Sequence, residues 1–299
     1  MNWIKCRNLI RSACIGHGGL DLRFFHRQLS SRQGVKSRFF NGFEYGLAMN
    51  TSCFELCVET LEAARAAEAG GADRIELCSK LSLGGVSPSL DLLTVAIGEL
   101  HIPVHVLIRP RDGDFCFSAS EFEMMKLQIT KARKAGAAGV AVGVLLADSR
   151  VDVERSRELA ELAHPMKSTF HRAFDETPNL DEALEDVIST GADCLLTSGG
   201  AKNVLAGAES IARVRERSGQ RMDVMAGGGL RLHTLTEVVR KTGVSFLHGS
   251  LTRRGFSTQD AGPESPYSVL EADVREAVRL FRLEFTSNGT SVPHDFRRE

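Results

Sequence analysis

From Cys53 onward, short runs of apolar residues alternate with longer segments in which apolar residues recur every three or four positions. The short runs are rich in Val, Ile, Leu and Phe, as in buried strands, and the longer segments have the period of helices packed on one face. The predicted strands are residues 54–58, 74–78, 104–109, 139–145, 167–172, 194–199, 222–228 and 245–250. The predicted helices are residues 60–70, 89–100, 121–136, 152–164, 180–191, 207–219, 233–243 and 270–285.

Three of the predicted helices end at a Gly-Ala pair just before the next strand, at Gly71-Ala72, Gly136-Ala137 and Gly191-Ala192. Glycine adopts the positive φ of a helix C-cap without strain. The repeat of about 20–35 residues suits successive βα units, and eight strands alternating with eight helices predict a (β/α)8 TIM barrel in a single domain. An open doubly wound sheet is the alternative, but no GxGxxG follows the first strand.

The first 48 residues differ in composition from the rest of the chain. They hold eight Lys or Arg and two acidic residues, which leaves 29 basic and 36 acidic residues, or a net charge of −7, in the body. The Arg-rich composition resembles an organelle transit peptide, and the alternative, which we favour, is that the folded protein starts at Met49. We therefore expect a basic tail over 1–48 and the barrel over 49–299.

Charge, hydropathy and cysteine usage narrow the function classes. An acidic body is a poor nucleic-acid binder, and no run approaches the ~18 apolar residues of a membrane span. Seven cysteines without a CxxC pair or a secretory apolar segment predict free thiols in a reducing compartment, the cytoplasm. We also expect a homo-oligomer, and we find no exposed apolar stripe that would favour an interaction scaffold.

The first two predicted strands end alike, in Glu55-Leu56-Cys57 and Glu76-Leu77-Cys78. Because side chains alternate along a strand, each Glu shares a face with the Cys two residues later. Active sites of barrels lie at the C-terminal strand ends, so two carboxylates and two thiols are candidates for one wall of a site. The alternative is that these cysteines are small buried hydrophobes, although buried Glu is rare unless it is paired.

The third and fifth predicted strands end in charged residues. Pro110 must end its strand, which puts Arg109 at the barrel mouth, and the fifth strand delivers His171 and Arg172. The alternative to a ligand site is an architectural cluster of ion pairs formed by Arg109, Arg172, Asp114, Asp175, Glu55 and Glu76. The loops after the last two strands offer backbone N–H groups to an anion at Gly227, Gly228, Gly229, Gly249 and Ser250.

Five segments carry a family resemblance: FELCVETLEAARAAEAGGADRIELCSKLSLGGVSPSL, IRPRDGDFCFS, TFHRAFDE, LLTSGG and MAGGG. Together they resemble the CutC family, whose members are usually called copper homeostasis proteins and have a (β/α)8 barrel. The resemblance implies binding of Cu(I) in the cytoplasm through cysteines that match Cys57 and Cys78, and soft thiolates suit Cu(I). Cys116 is a third candidate ligand because of its place after the third strand, and not because of the resemblance.

Two functions stay open at this point. The first is a copper homeostasis protein that binds Cu(I) through Cys57 and Cys78 without catalysis. The second is a TIM-barrel enzyme for an anionic or phosphorylated metabolite. It has His171 as general acid or base, with a carboxylate partner from Glu55, Glu76 or Asp175 and a substrate clamp from Arg109 and Arg172. Cu(I) needs neither arginine, and fixed cations oppose metal binding, whereas guanidinium groups suit phosphate or carboxylate.

Overall fold

The computed structural model describes residues 52–254 and 267–288. Eight parallel strands close into a barrel in sequence order, which confirms the predicted (β/α)8 fold. The strands are β1 (Cys53–Val58), β2 (Arg74–Leu77), β3 (Val104–Leu107), β4 (Gly139–Val142), β5 (Lys167–Phe170), β6 (Cys194–Thr197), β7 (Asp223–Ala226) and β8 (Phe246–Gly249). The predicted tail over 1–48 lies outside the described residues.

A helix follows each strand of the barrel. The helices are α1 (Leu61–Ala69), α2 (Leu90–Glu99), α3 (Ala119–Ala135), α4 (Val153–Ala163), α5 (Leu180–Ser189), α6 (Ala208–Ser218), α7 (Leu235–Thr242) and α8 (Glu271–Asn288). Between β8 and α8, a short antiparallel pair joins β9 (Arg253–Arg254) to β10 (Tyr267–Ser268). Among the described helices, none combines the length and the hydrophobicity that crossing a membrane requires.

The ends of the helices follow from local sequence. Side chains of Thr60, Ser89, Ser118, Asp152 and Asn179 accept hydrogen bonds from first-turn amides of the helices that follow them. The glycine of each predicted Gly-Ala pair has positive φ. Seven of the eight strands end one to three residues before their predicted ends, because the last residues of each prediction lie in the loops at the barrel mouth.

The largest apolar core lies between the outer face of the barrel and the helices, and α8 completes that layer. The Phe281 ring of α8 lies 6.1 Å from the Phe54 ring of β1, measured between centroids. A Cβ on Gly70, at the end of α1, would lie 2.5 Å from the Cβ of Val274. Glycine at this position therefore allows α1 and α8 to pack closely, which closes the ring of helices.

The inside of the barrel is unusually polar. Branched apolar side chains usually fill a TIM barrel, but among the described residues only two small apolar clusters form inside it. The remaining buried interior positions include Glu55, Glu76, His105, Thr169, His171 and His248. Burying a charged group is costly unless it is paired. A cluster of such residues inside the barrel therefore marks the candidate functional site.

Candidate functional site

A cavity of about 1240 Å³ opens at the C-terminal ends of the strands. Every strand, or the loop that follows it, contributes to its wall, as expected for the active face of a barrel. Cys57, Glu76 and His248 lie at its base, and the loops after β3, β5 and β7 form its mouth.

The two strand-end thiols meet at the base of this cavity. Cys57 Sγ lies 3.5 Å from Cys78 Sγ and 3.4 Å from Glu76 Oε1. Cys57 lines the cavity, whereas Cys78 is fully buried beside it. The strands are offset, so that Cys57 is level with Glu76 rather than with Cys78. The two Glu-Leu-Cys motifs are therefore not in register with each other. The contact between the sulfur atoms of Cys57 and Cys78 runs diagonally from β1 to the end of β2.

Cys57, Glu76 and His248 form a group whose potential ligand atoms all lie within 4.8 Å of one another. Burial raises the pKa of Glu76 above its usual value, although the charge of His248 acts in the opposite direction. The pKa of the Cys57 thiol is also well above its usual value, because it shares a hydrogen bond with Cys78 and is buried. Without a ligand, these shifts favour the protonated thiol of Cys57 and the protonated carboxyl of Glu76. Burial acts to lower the pKa of His248, but the hydrogen bond with Glu55 outweighs burial and raises it, which favours the cationic ring.

A layer of buried ions lies beside this group. Glu55 accepts hydrogen bonds from Arg74 Nε at 2.5 Å and from His248 Nδ1 at 2.7 Å. Burial disfavours the Glu55 carboxylate, but the hydrogen bond from His248 and the charge of Arg74 outweigh burial and hold its pKa well below the usual range. Burial lowers the pKa of nearby His105 to about 4. Glu55 thus has fixed cationic partners and does not line the cavity.

The guanidinium group of Arg109 donates hydrogen bonds to backbone carbonyl groups of two loops. Its Nη1 donates to Gly85 O at 2.9 Å and its Nη2 to Gly113 O at 2.5 Å, while the guanidinium covers the Phe115 ring at 4.7 Å. No carboxylate among the described residues pairs with it. Arg109 lines the cavity, but its geometry connects the loops after β2 and β3, so that its predicted role as a substrate clamp stays a prediction.

The residues that follow β5 have two different roles. Asp175 stabilises the neighbouring loop, and His171 and Arg172 line the cavity. Asp175 accepts hydrogen bonds from Arg172 Nε at 2.8 Å, from Thr197 Oγ1 at 2.5 Å and from the backbone of Ser198. Its carboxylate is therefore fully engaged and does not reach His171. Both His171 and Arg172 line the cavity. The proposed architectural ion-pair cluster is thus divided into separate pairs, with Arg172–Asp175 at β5 and Glu55–Arg74 inside the barrel.

The predicted anion residues fall into two groups. Gly228, Gly229, Gly249 and Ser250 line the cavity, whereas Gly227 does not. A Cβ on Gly227 would lie 2.7 Å from Leu196 Cδ1, so glycine there permits packing between strands. Cys116 lines the cavity but is not part of the group formed by Cys57, Glu76 and His248.

Comparison with known proteins bears on this arrangement. The model of the CutC family matches residues 52–253. The chain belongs to the CutC family. A CutC family protein of Chromobacterium violaceum is 45% identical over 196 residues, which is 66% of this chain and 79% of that protein. A CutC family protein of Caulobacter vibrioides is 39% identical over 239 residues, covering 76% of this chain and 96% of that protein.

Solved structures support the same membership. A CutC of Streptococcus agalactiae, named as a candidate copper homeostasis protein, matches with a TM-score of 0.64 and 26% identity. The match covers 67% of this chain and 99% of that one. An aldolase matches with a TM-score of 0.52 at 15% identity, covering 69% of this chain and 93% of that one, which shows the shared fold alone.

Sequence reasoning missed three residues of this CutC barrel: Arg74, His248 and Arg231. It placed His105 on the same face of the third strand as Arg109 but gave it no role. A signal existed for His248, since alternation from Ser250 puts it on the inner face of β8. The same alternation from Glu76 puts Arg74 inside the barrel. Arg231, exposed at the mouth after β7, carried no signal beyond its position after three glycines.

Proposed function

We propose that this CutC family protein binds Cu(I) as the cargo of copper homeostasis, through Cys57 and Cys78. The proposal is carried by the 3.5 Å separation of their sulfur atoms at the base of an open cavity. Thiolates are soft ligands that select Cu(I) over harder cations. The copper homeostasis role in the name of the Streptococcus agalactiae relative supports the same function.

The separation of the two sulfur atoms suits a bent rather than a linear site. With a metal–sulfur bond of ~2.3 Å, sulfur atoms 3.5 Å apart subtend an angle of about 100° at the metal. A linear site would hold the sulfur atoms about 4.6 Å apart at the same bond length. The observed spacing therefore leaves room for a third ligand, and Glu76 and His248 are the candidates beside Cys57.

The contact between His248 and Glu55 fits such a role. Metal-binding histidines commonly donate their second ring nitrogen to a carboxylate, which fixes the ring and raises its basicity. His248 Nδ1 lies 2.7 Å from Glu55 Oε1, which leaves Nε2 as the ligand nitrogen. Arg74 holds Glu55 from its other side, so the ring of His248 is already oriented before a metal arrives.

We also propose that the protein acts in the cytoplasm, where thiols stay reduced. The five cysteines among the described residues are all free. A homo-oligomer stays a prediction.

A copper titration tests the proposed function. In the full chain with Cys6→Ser and Cys14→Ser throughout, we expect one Cu(I) to bind in competition with a chelator under anaerobic conditions. Cys57→Ser/Cys78→Ser is expected to weaken binding by more than about 100-fold, since even outer-shell losses cost 10–100-fold. Absorption of the competing chelator complex measures the affinity.

Two matched variants and a second metal make the test specific. Cys194→Ala removes a buried interior thiol packed against Leu196 and Met225, and it should leave the copper affinity unchanged. Cys116→Ser should also leave it unchanged, because Cys116 is outside the group at the base of the cavity. Copper binding that is indifferent to Cys57→Ser/Cys78→Ser, or tight binding of Zn²⁺ with none of Cu(I), would contradict the proposal.

A further inference from the structure

Within the part of the chain that the structure describes, His171 has a buried ring nitrogen without a hydrogen-bond partner, and this nitrogen has no role in the proposed copper site. The residue is 4% exposed, lines the cavity, and has no hydrogen-bond partner at Nε2 among the described residues. Its Nδ1 accepts a hydrogen bond from the backbone N–H of Ala173 at 3.2 Å. Since Nδ1 is occupied by the chain itself, Nε2 is the ring nitrogen beside the cavity that is left without a partner in the described part of the chain.

The ring is held in one orientation. A Cβ on Gly143 would lie 2.6 Å from His171 Nδ1, so the absence of a side chain in the loop after β4 makes room for the imidazole. The Phe115 ring packs against it with 4.9 Å between ring centroids. An orientation fixed before binding reduces the ordering that a ligand must impose.

The hydrogen-bonding role of His171 follows from this geometry. Burial and the charge of Arg109 lower the pKa of His171 to about 3, so the imidazole is neutral at physiological pH. A neutral imidazole carries one proton, and Nδ1 is an acceptor here, which places the proton on Nε2. His171 therefore holds a buried N–H donor in the wall of the cavity, and no described residue accepts a hydrogen bond from it. Buried polar groups without partners are rare in native proteins, which points to an oxygen supplied by a ligand.

Two arginines lie at the same mouth, although Arg172 is paired with Asp175, and Asp114 and Glu176 also line the cavity. Arg172 Nε and Nη2 bond to Asp175 and Ser198, and its half-exposed guanidinium still faces the cavity. Arg231 also lines the cavity and has no carboxylate partner among the described residues. Neither cation is needed for a thiolate site, and both suit an anion.

The loop after β7 adds backbone donors. Gly228 and Gly229 have φ of +104° and +67°, which disfavour any other residue. A Cβ on Gly228 would also lie 2.9 Å from Arg172 Nε, so this glycine brings the backbone next to the guanidinium. Within the described part of the chain, neither glycine N–H has a hydrogen-bond acceptor. Loops after the seventh and eighth strands are the common phosphate site of TIM barrels.

We propose that the barrel mouth binds a small phosphorylated metabolite, with its phosphate at Arg172, Arg231 and the Gly228–Gly229 backbone and an oxygen accepting from His171 Nε2. This site goes beyond the copper function and does not depend on it. It uses a different wall of the cavity, since the thiol pair belongs to β1 and β2. The sequence suggested that His171 is a general acid or base. In the proposed site, His171 is instead a hydrogen-bond donor to the ligand.

Calorimetric titration with glycerol 3-phosphate at low salt tests the site in the full chain with a metal chelator present. Arg231→Ala is expected to weaken binding about 10- to 100-fold, as for other hydrogen bonds between charged groups. His171→Asn is expected to weaken it about tenfold. Asn still accepts from the Ala173 N–H as an N-cap residue, but it does not extend to the position of Nε2.

Controls separate this proposal from charge and from copper. Lys134→Ala removes one exposed cation from the last turn of α3, which leads back to the start of β4 at the opposite end of the barrel, and it should leave the affinity unchanged. Cys57→Ser/Cys78→Ser should also bind glycerol 3-phosphate like the unmodified chain. No binding, equal binding in Arg231→Ala and His171→Asn, or equal binding of glycerol itself would overturn the proposal.

Discussion

Replacing Arg74 by methionine is expected to lower the free energy of unfolding by about 3–5 kcal/mol, the cost of leaving one member of a buried ion pair without its partner. The Glu55 carboxylate is 2% exposed and accepts the 2.5 Å hydrogen bond from Arg74 Nε. His248 alone would then have to balance its charge. Methionine fills a similar volume, so the loss reports charge rather than packing.

The measurement is urea unfolding followed by far-UV circular dichroism, because the single tryptophan lies in the tail at Trp3. Glu55→Leu/Arg74→Met is the control, since replacing both members by apolar residues removes the uncompensated charge and should restore most of the stability. A double variant as unstable as Arg74→Met alone would show that the arginine acts through packing.

The effect of Arg74→Met should also depend on pH in the copper-free protein. The pKa of Glu55 is held below its unfolded value of about 4.3, so its contribution is present above that pH and is lost as pH falls toward the folded pKa. Removing Arg74 raises the folded pKa of Glu55 toward the unfolded one. The variant should therefore lose most stability relative to the unmodified chain near pH 7 and less at pH 4. A loss that is equal at both values would contradict this account.

The fold could be predicted from the sequence because each local signal agreed with the others. Apolar runs alternate with helical periods eight times, and glycines stand where a left-handed C-cap is needed, as at Gly136 and Gly191. Alternation along each strand also predicted that Cys57 and Cys78 share a face with the glutamate two residues before them. These are properties of single elements, and periodicity alone reveals them.

The partners inside the barrel could not be predicted because they depend on register between strands. Tilt in a closed barrel displaces each strand against its neighbour. Here the offset sets Glu55 level with Arg74 and Cys57 level with Glu76. The hydrogen-bond partners of Arg109 could not be predicted for a similar reason. They are the backbone carbonyls of Gly85 and Gly113, and the positions of these loops depend on the whole fold.

The proposed Cu(I) site and the proposed phosphate site lie in the same cavity. The thiol pair and His248 belong to β1, β2 and β8, whereas His171 and Arg172 belong to the end of β5. Cations near the mouth disfavour a metal ion there and favour an anion, while the buried carboxylate of Glu55 offsets positive charge at the base. The thiols and the arginines thus lie on different strands, although the loop after β7 that carries Arg231 is next to β8 and His248.

Asp175→Ala is expected to lower the free energy of unfolding by about 2–4 kcal/mol, because it removes a 4%-exposed carboxylate that accepts hydrogen bonds from buried donors and organises the next loop. Its oxygens accept from Thr197 Oγ1 at 2.5 Å, from Ser198 N at 2.9 Å and from Gly200 N at 3.1 Å. Without it, the hydroxyl of Thr197 and the buried amide of Ser198 lose their acceptor. Urea unfolding gives the total loss, and hydrogen exchange at the amides of Ser198 and Gly200 shows whether it starts in this loop.

Asp175→Asn separates this structural role from the acid–base role that the sequence suggested. Asn keeps one acceptor oxygen but turns an NH₂ toward existing donors, so we expect a smaller loss of about 1–3 kcal/mol. Ser198→Ala removes one hydroxyl donor and should cost less than either change. Because Asp175 also orients Arg172, both Asp175 variants should weaken glycerol 3-phosphate binding in proportion to their loss of stability. Unchanged unfolding in Asp175→Ala would show that the carboxylate is not a structural anchor, and its role would then have to be sought in chemistry at the cavity.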